Sequence, residues 1–170
     1  MTKKNAAGAF VAQRLLNRGK EQTAMSVKKV AEMSDKNRIL VVDDDEIVRR
    51  SYLRSLESIS CNIEAACNGD EALRSMAEKP FDVVLLDMRM PGQDGLTVLR
   101  TIKKNWPDSE VVIITGYPTV DSAKEAVRLG AYDYIAKPVA PQDVINVTDG
   151  AITHKHWAMH AVPDTGVGHA

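Results

Sequence analysis

From Arg38 onward the chain alternates short apolar runs with stretches whose apolar residues recur at helical spacing. "RILVV" (38–42) reads as a buried strand, and "EIVRRSYLRSLESI" (46–59) places Val48, Tyr52, Leu56 and Ile59 on one helical face. "CNIEAA" is a weaker second strand closed by Asn68-Gly69, with Asp70 positioned to cap the helix "EALRSMAE". "FDVVLLD" (81–87) is continuously apolar through its middle, as a strand covered on both faces should be. "MRMPGQDG" then reads as a loop and "LTVLRTIKKNW" as a helix. "EVVIIT" is the fourth strand, and "TVDSAKEAVRLG" a helix halted by Gly130. "YDYIAKP" is the fifth strand, followed by a helix that begins at Pro141. Five strand–helix units predict an α/β fold with a parallel sheet, because each parallel crossover needs a helix and the connections keep one hand.

In such a sheet the carboxyl ends of the strands share one edge, and ligands bind there beside the point where strand order reverses. The polar residues that terminate the apolar runs therefore acquire one address: Asp43 and Asp44, Asp87, Thr115 and Lys137. Three carboxylates on one edge repel each other unless a cation intervenes, and a hard ion such as Mg2+ prefers oxygen ligands. A lysine and a threonine beside such an ion suit a phosphoryl group, the ammonium as a point charge and the hydroxyl as a donor. Together these residues suggest transfer of a phosphoryl group onto Asp87 as nucleophile.

"ILVVDDDE", "VVLLDMRMPGQDG", "VVIITG" and "GAYDYIAKP", in that order, resemble the receiver domain of two-component response regulators over about residues 37–158. The resemblance implies a doubly wound, flavodoxin-like sheet of order 2-1-3-4-5 with five helices. It implies Asp87 as phospho-acceptor and Asp43 and Asp44 as the acidic pair for Mg2+, with the backbone carbonyl of Arg89 as a further ligand. It also implies Thr115 and Tyr134 as a switch pair, Lys137 as the phosphate-binding lysine, and a cis bond before Pro138. The partners implied are a sensor histidine kinase or phosphotransfer protein upstream and a protein target downstream. The target would be met through residues 121–130, 132–136 and 141–158.

Two other readings compete. "VVDDDEI" approaches the Asp-x-Asp opening of haloacid-dehalogenase-like phosphatases, with Asp43 as nucleophile and Asp45 as acid-base. Ile47 and the lack of an acidic pair after Lys137 count against it, and Asp87 is left unexplained. A receiver that only binds partners, without phosphorylation, is the other. Taken singly, Thr115 reads as a strand-end residue, Lys137 as a surface lysine and Tyr134 as a core aromatic; only the constellation raises them. His156 and His160 stand one helical turn apart, a spacing that suits a metal, but no third ligand is evident.

Composition refines this picture. The 170 residues, 44% apolar and 26% charged, suit one sizeable core. The net charge of −1 hides an asymmetry, since residues 1–37 hold eight Lys or Arg against three acids, leaving an acidic body. Such a body argues against direct nucleic-acid binding and suits a cation site. Cys61 and Cys67 match no zinc motif, and no secretory signal or membrane-length apolar run is present, so a cytoplasmic location is expected. We read residues 1–36 as a basic extension with a short helix near 22–33, 37–158 as the receiver, and 159–170 as a tail. Neither flank has room for a DNA-binding or ATPase output module, which suggests a stand-alone switch.

Overall fold

The computed structural model describes residues 36–160. The expected helix at 22–33 lies outside them, as does most of the basic extension. Seven strands and five helices follow: β1 (Arg38–Val42), α1 (Glu46–Leu56), β2 (Asn62–Ala66), α2 (Gly69–Glu78), β3 (Val83–Leu86), β4 (Arg89–Met90) and β5 (Gln93–Asp94). They continue with α3 (Gly95–Asn105), β6 (Glu110–Thr115), α4 (Val120–Arg128), β7 (Asp133–Ala136) and α5 (Pro141–His160).

Five strands form a wholly parallel sheet in the order β2-β1-β3-β6-β7. With the β4–β5 hairpin set aside, this is the expected order 2-1-3-4-5. Strand side chains alternate between faces, so neighbouring residues feed two separate cores. Leu40, Val42, Val84, Leu86, Val111 and Ile113 pack with Met76 of α2, Leu99 of α3 and Ala126 of α4. Ile39, Val41, Val83, Leu85, Val112 and Ile114 pack instead with Tyr52 and Leu56 of α1 and Val144 and Ile152 of α5. Each fully buried Leu or Ile contributes roughly 1.5–3 kcal/mol, which makes β1, β3 and β6 a rigid floor for whatever lies at their ends. Among the described residues no helix is long and apolar enough to cross a membrane.

Local expectations need three corrections. Helix α1 ends at Leu56, and Ile59 packs on the core from the turn that follows. The cap of α2 is Asn68, whose side chain accepts from the Glu71 amide, whereas Asp70 sits in the first turn. Asn68 wins because its backbone is extended just before the helix, which leaves its side chain facing the free amides. The stretch 88–95 is not only loop: it holds the antiparallel β4–β5 hairpin, turned at Gly92 with φ +87°, a conformation glycine adopts without steric cost.

Candidate functional site

The ends of β1, β3 and β7 bring the predicted charges together. Asp43, Asp44 and Asp87 each offer a carboxylate oxygen, and these oxygens lie within 4.8 Å of one another. Lys137, one residue past β7, places Nζ 2.6 Å from Asp43 Oδ2 and 3.2 Å from Asp87 Oδ1. Asp43 and Asp87 are buried, while Asp44 faces solvent. One lysine thus stands against three acids, and burial pushes the Asp87 carboxyl above its ordinary range, although Lys137 pulls the other way. Burial alone would lower the Lys137 ammonium, but its hydrogen bond to Asp43 and the two carboxylate charges outweigh it and hold the group above the usual lysine range. The Tyr52 phenol, on α1 beneath the site, is likewise raised by burial. A set of hard oxygen donors with surplus negative charge fits a small divalent cation.

Asp87 is held in place by the backbone. Its N–H donates to Val42 O at 2.9 Å, the Arg89 N–H donates to its Oδ2 at 3.2 Å, and Gly95 begins α3 directly behind it. A Cβ on Gly95 would stand 2.5 Å from the Asp87 carbonyl oxygen and 2.7 Å from Met88 Cα, so only glycine permits this approach. The hairpin and Asp44 border an open depression beside the carboxylates.

Thr115 ends β6 fully buried, and its Oγ1 accepts from the Tyr117 N–H at 3.2 Å, which leaves the hydroxyl proton for another acceptor. Its carbonyl accepts from the Lys137 N–H at 2.8 Å, tying the two strand ends together. Tyr134 is half-buried, packed on the core, and its hydroxyl lies 2.7 Å from Ser122 Oγ in the capping box of α4. The Lys137–Pro138 bond is cis. His156 pairs with Asn37 Oδ1 at 3.2 Å, and among the described residues no metal-ligand cluster includes it.

Several contacts escape a reading of the sequence. Arg49 Nη1 donates to the Asp43 carbonyl at 2.7 Å. The Arg89 guanidinium lies over the Tyr117 ring, 4.3 Å from its centroid. Ser122 touches Tyr134 across twelve residues of chain. Only the basic doublet at 49–50, one turn after the acidic run, hinted at the first; the others depend on how loops fold back.

Comparison with known proteins agrees with this geometry. Residues 39–149 match the response regulator receiver domain. The chain is 41% identical over 102 residues to a putative response regulator NtrX-like of Rickettsia felis, covering 59% of this chain and 22% of that protein. It is 38% identical over 116 residues to the DNA-binding transcriptional regulator NtrC of Salmonella typhimurium, covering 68% of this chain and 25% of that one. It therefore spans about a quarter of the length of the curated relatives it matches. A CheY-like receiver domain protein of Methanospirillum hungatei superposes with TM-score 0.71 at 27% identity, over 73% of this chain and 99% of that one. The receiver domain of NtrX from Brucella abortus gives 0.64 at 35% identity, over 68% and 98%. The sheet order, the acidic edge and the match across residues 39–149 lead to one conclusion: this chain belongs to the response regulator receiver domain family.

Proposed function

We propose that this receiver takes a phosphoryl group onto Asp87 from a histidine kinase or phosphotransfer protein in the cytoplasm, and thereby changes which protein it binds. The observation that carries the reading is the set of three carboxylates within 4.8 Å of one another, answered by the single ammonium of Lys137. Asp43, Asp44, Asp87 and the carbonyl of Arg89 would hold Mg2+. When bound, that ion supplies the positive charge that lets an anionic phosphoryl group approach a carboxylate.

The rest is done by the chain. An Asp87 carboxylate oxygen attacks phosphorus, an O–P bond forms, and the N–P bond to the donor imidazole breaks. Lys137 offers its ammonium to one phosphoryl oxygen, and the Thr115 proton is available for another. If Thr115 moves inward to meet the phosphoryl group, the loop to α4 follows and the Ser122–Tyr134 contact must readjust. That carries the change to α4, β7 and α5, where Val120 and Val127 already stand exposed. A bias of about 2–3 kcal/mol between the two arrangements suffices to make a minor state dominant. We read it further as a receiver that catalyses only its own phosphorylation and dephosphorylation and acts through a protein partner without itself touching nucleic acid.

The test is incubation with acetyl phosphate, with and without Mg2+, followed by mapping of the acyl phosphate. Label on Asp87 that needs Mg2+ and vanishes in Asp87→Asn is the expected result. Label on Asp43 would instead revive the phosphatase reading, and no label at all the interaction-only receiver.

A further inference from the structure

Asp43 and Asp44, the two acids that follow β1, are joined by one peptide unit, and the structure shows what holds it. Asp43 is buried, and its own N–H donates to Ala66 O at 3.3 Å at the end of β2. Its carboxylate is fixed twice, Oδ2 by Lys137 at 2.6 Å and Oδ1 by the Asp45 N–H at 3.0 Å. Its carbonyl, however, lies just past β1. Helix α1 starts at Glu46 behind the Asp45 cap, and its first turn closes on the Asp45 carbonyl, which accepts from the Arg49 N–H at 3.0 Å. A buried carbonyl without a partner is costly, and Arg49 meets this one with Nη1 at 2.7 Å.

Arg49 is half-buried, and its charge also reaches the Glu71 carboxyl, which is held below its ordinary range mainly by hydrogen bonds at Cys67 and in lesser part by Arg49. Its neighbour Arg50 is exposed and pairs with Glu46 at 2.6 Å. The two arginines thus differ in kind: one is committed to a surface carboxylate, the other to a backbone oxygen between two site residues. Because the peptide unit is planar, holding the Asp43 oxygen also restricts the plane from which the Asp44 Cα departs, and so narrows where the Asp44 carboxylate can reach.

We infer that Arg49 is a positioning residue for the acidic site: it orients the Asp43–Asp44 peptide so that both carboxylates are presented to a divalent cation. The inference rests on the proposed Mg2+ site and deepens it. It also makes a prediction opposite in sign to simple electrostatics. A cation beside three carboxylates opposes the binding of another cation, so deleting Arg49 as a mere charge would tighten Mg2+. Deleting it as a positioning group should weaken Mg2+, by roughly tenfold as for other residues that orient metal ligands.

The experiment is Mg2+ titration followed by amide NMR on the full chain, for wild type, Arg49→Met, Arg49→Lys and Arg50→Met, with thermal unfolding of each in chelator. Arg49→Met keeps the aliphatic stem but no donor and should lose about tenfold in affinity. Arg49→Lys retains a donor and should recover part of that loss. Arg50→Met removes the same charge from an exposed, screened position and should stay within about twofold of wild type. Unchanged or tighter Mg2+ binding in Arg49→Met, with wild type binding and accepting phosphate normally, overturns this inference and leaves the receiver reading intact. Wild type that binds no Mg2+ overturns both. If Arg49→Met does not fold, Arg49→Lys decides: affinity indistinguishable from wild type with the Asp44 amide signal unmoved also counts against positioning.

Discussion

The two edges of the sheet each gather three acids and use them differently. At the amino edge Arg38 pairs with Glu64 at 2.6 Å, Asp82 with Lys155 at 2.6 Å, and the buried Glu110 with both Lys103 at 3.3 Å and His154 at 2.7 Å. These charges come from β1, β2, β6 and the residue before β3, and from α3 and α5, and each of these three acids finds its base within the fold. At the carboxyl edge Asp43, Asp44 and Asp87 crowd together, and among the described residues their one ion-pair partner is Lys137, which reaches Asp43 and Asp87. Matched charge fastens layers together, whereas unmatched charge waits for something from outside. The contrast supports the proposal that the carboxyl edge is the working one, without reference to any relative.

The largest effect that would break this contrast is on phosphoryl labelling. Replacing Asp43 and Asp44 together with Asn should slow Mg2+-dependent labelling by at least about 100-fold, since the charge that would hold the ion is lost. Glu110→Gln should label like wild type, and a comparable loss there would show the edges to be coupled. Stability should invert the ranking. Glu110→Gln keeps one acceptor oxygen but puts an NH2 group where the other met Lys103 or His154 and removes the buried charge, and should cost about 1–3 kcal/mol in denaturant unfolding.

Asp87→Asn sharpens the comparison through pH. Burial raises the Asp87 carboxyl in the metal-free fold, so the native state holds that proton more tightly than the unfolded chain. The associated stability is full below the unfolded value and is lost as pH rises through the folded one. In chelator at neutral pH Asp87→Asn should therefore melt above wild type, and the gap should close as pH falls into the carboxylate range. A constant gap would assign the gain to something other than ionisation. The smallest expected effect is Tyr134→Phe, which removes the Ser122 bond at a cost of about 1 kcal/mol or less and should leave labelling intact.

The sequence made the strands and the acidic edge legible because both depend on local signals. An apolar run followed by Asp is visible in "ILVVDDDE" and "VVLLD" alike, and parallel topology then carries the acids to one side. The β4–β5 hairpin was missed because its strands are two residues long, too short for any alternation to register. The Asn68 cap was displaced to Asp70 because both types cap helices, and only the extended backbone at 68 decides. Arg49, Ser122 and the amino-edge pairs were invisible for a shared reason: each partner lies across a turn or on another element, and nothing in a stretch of chain announces what will fold against it.

Gly95 shows how far the demands of Asp87 reach. Eight residues downstream, it touches no ligand and carries no side chain, yet any Cβ there would press on the Asp87 carbonyl and the Met88 backbone. A deep mutational scan scored on signalling should find position 95 nearly as intolerant as position 87, and would register a functional constraint at a residue with no chemistry of its own. Alanine there would displace the aspartate without altering it, so the record of selection at Gly95 would be the imprint of a neighbour's job.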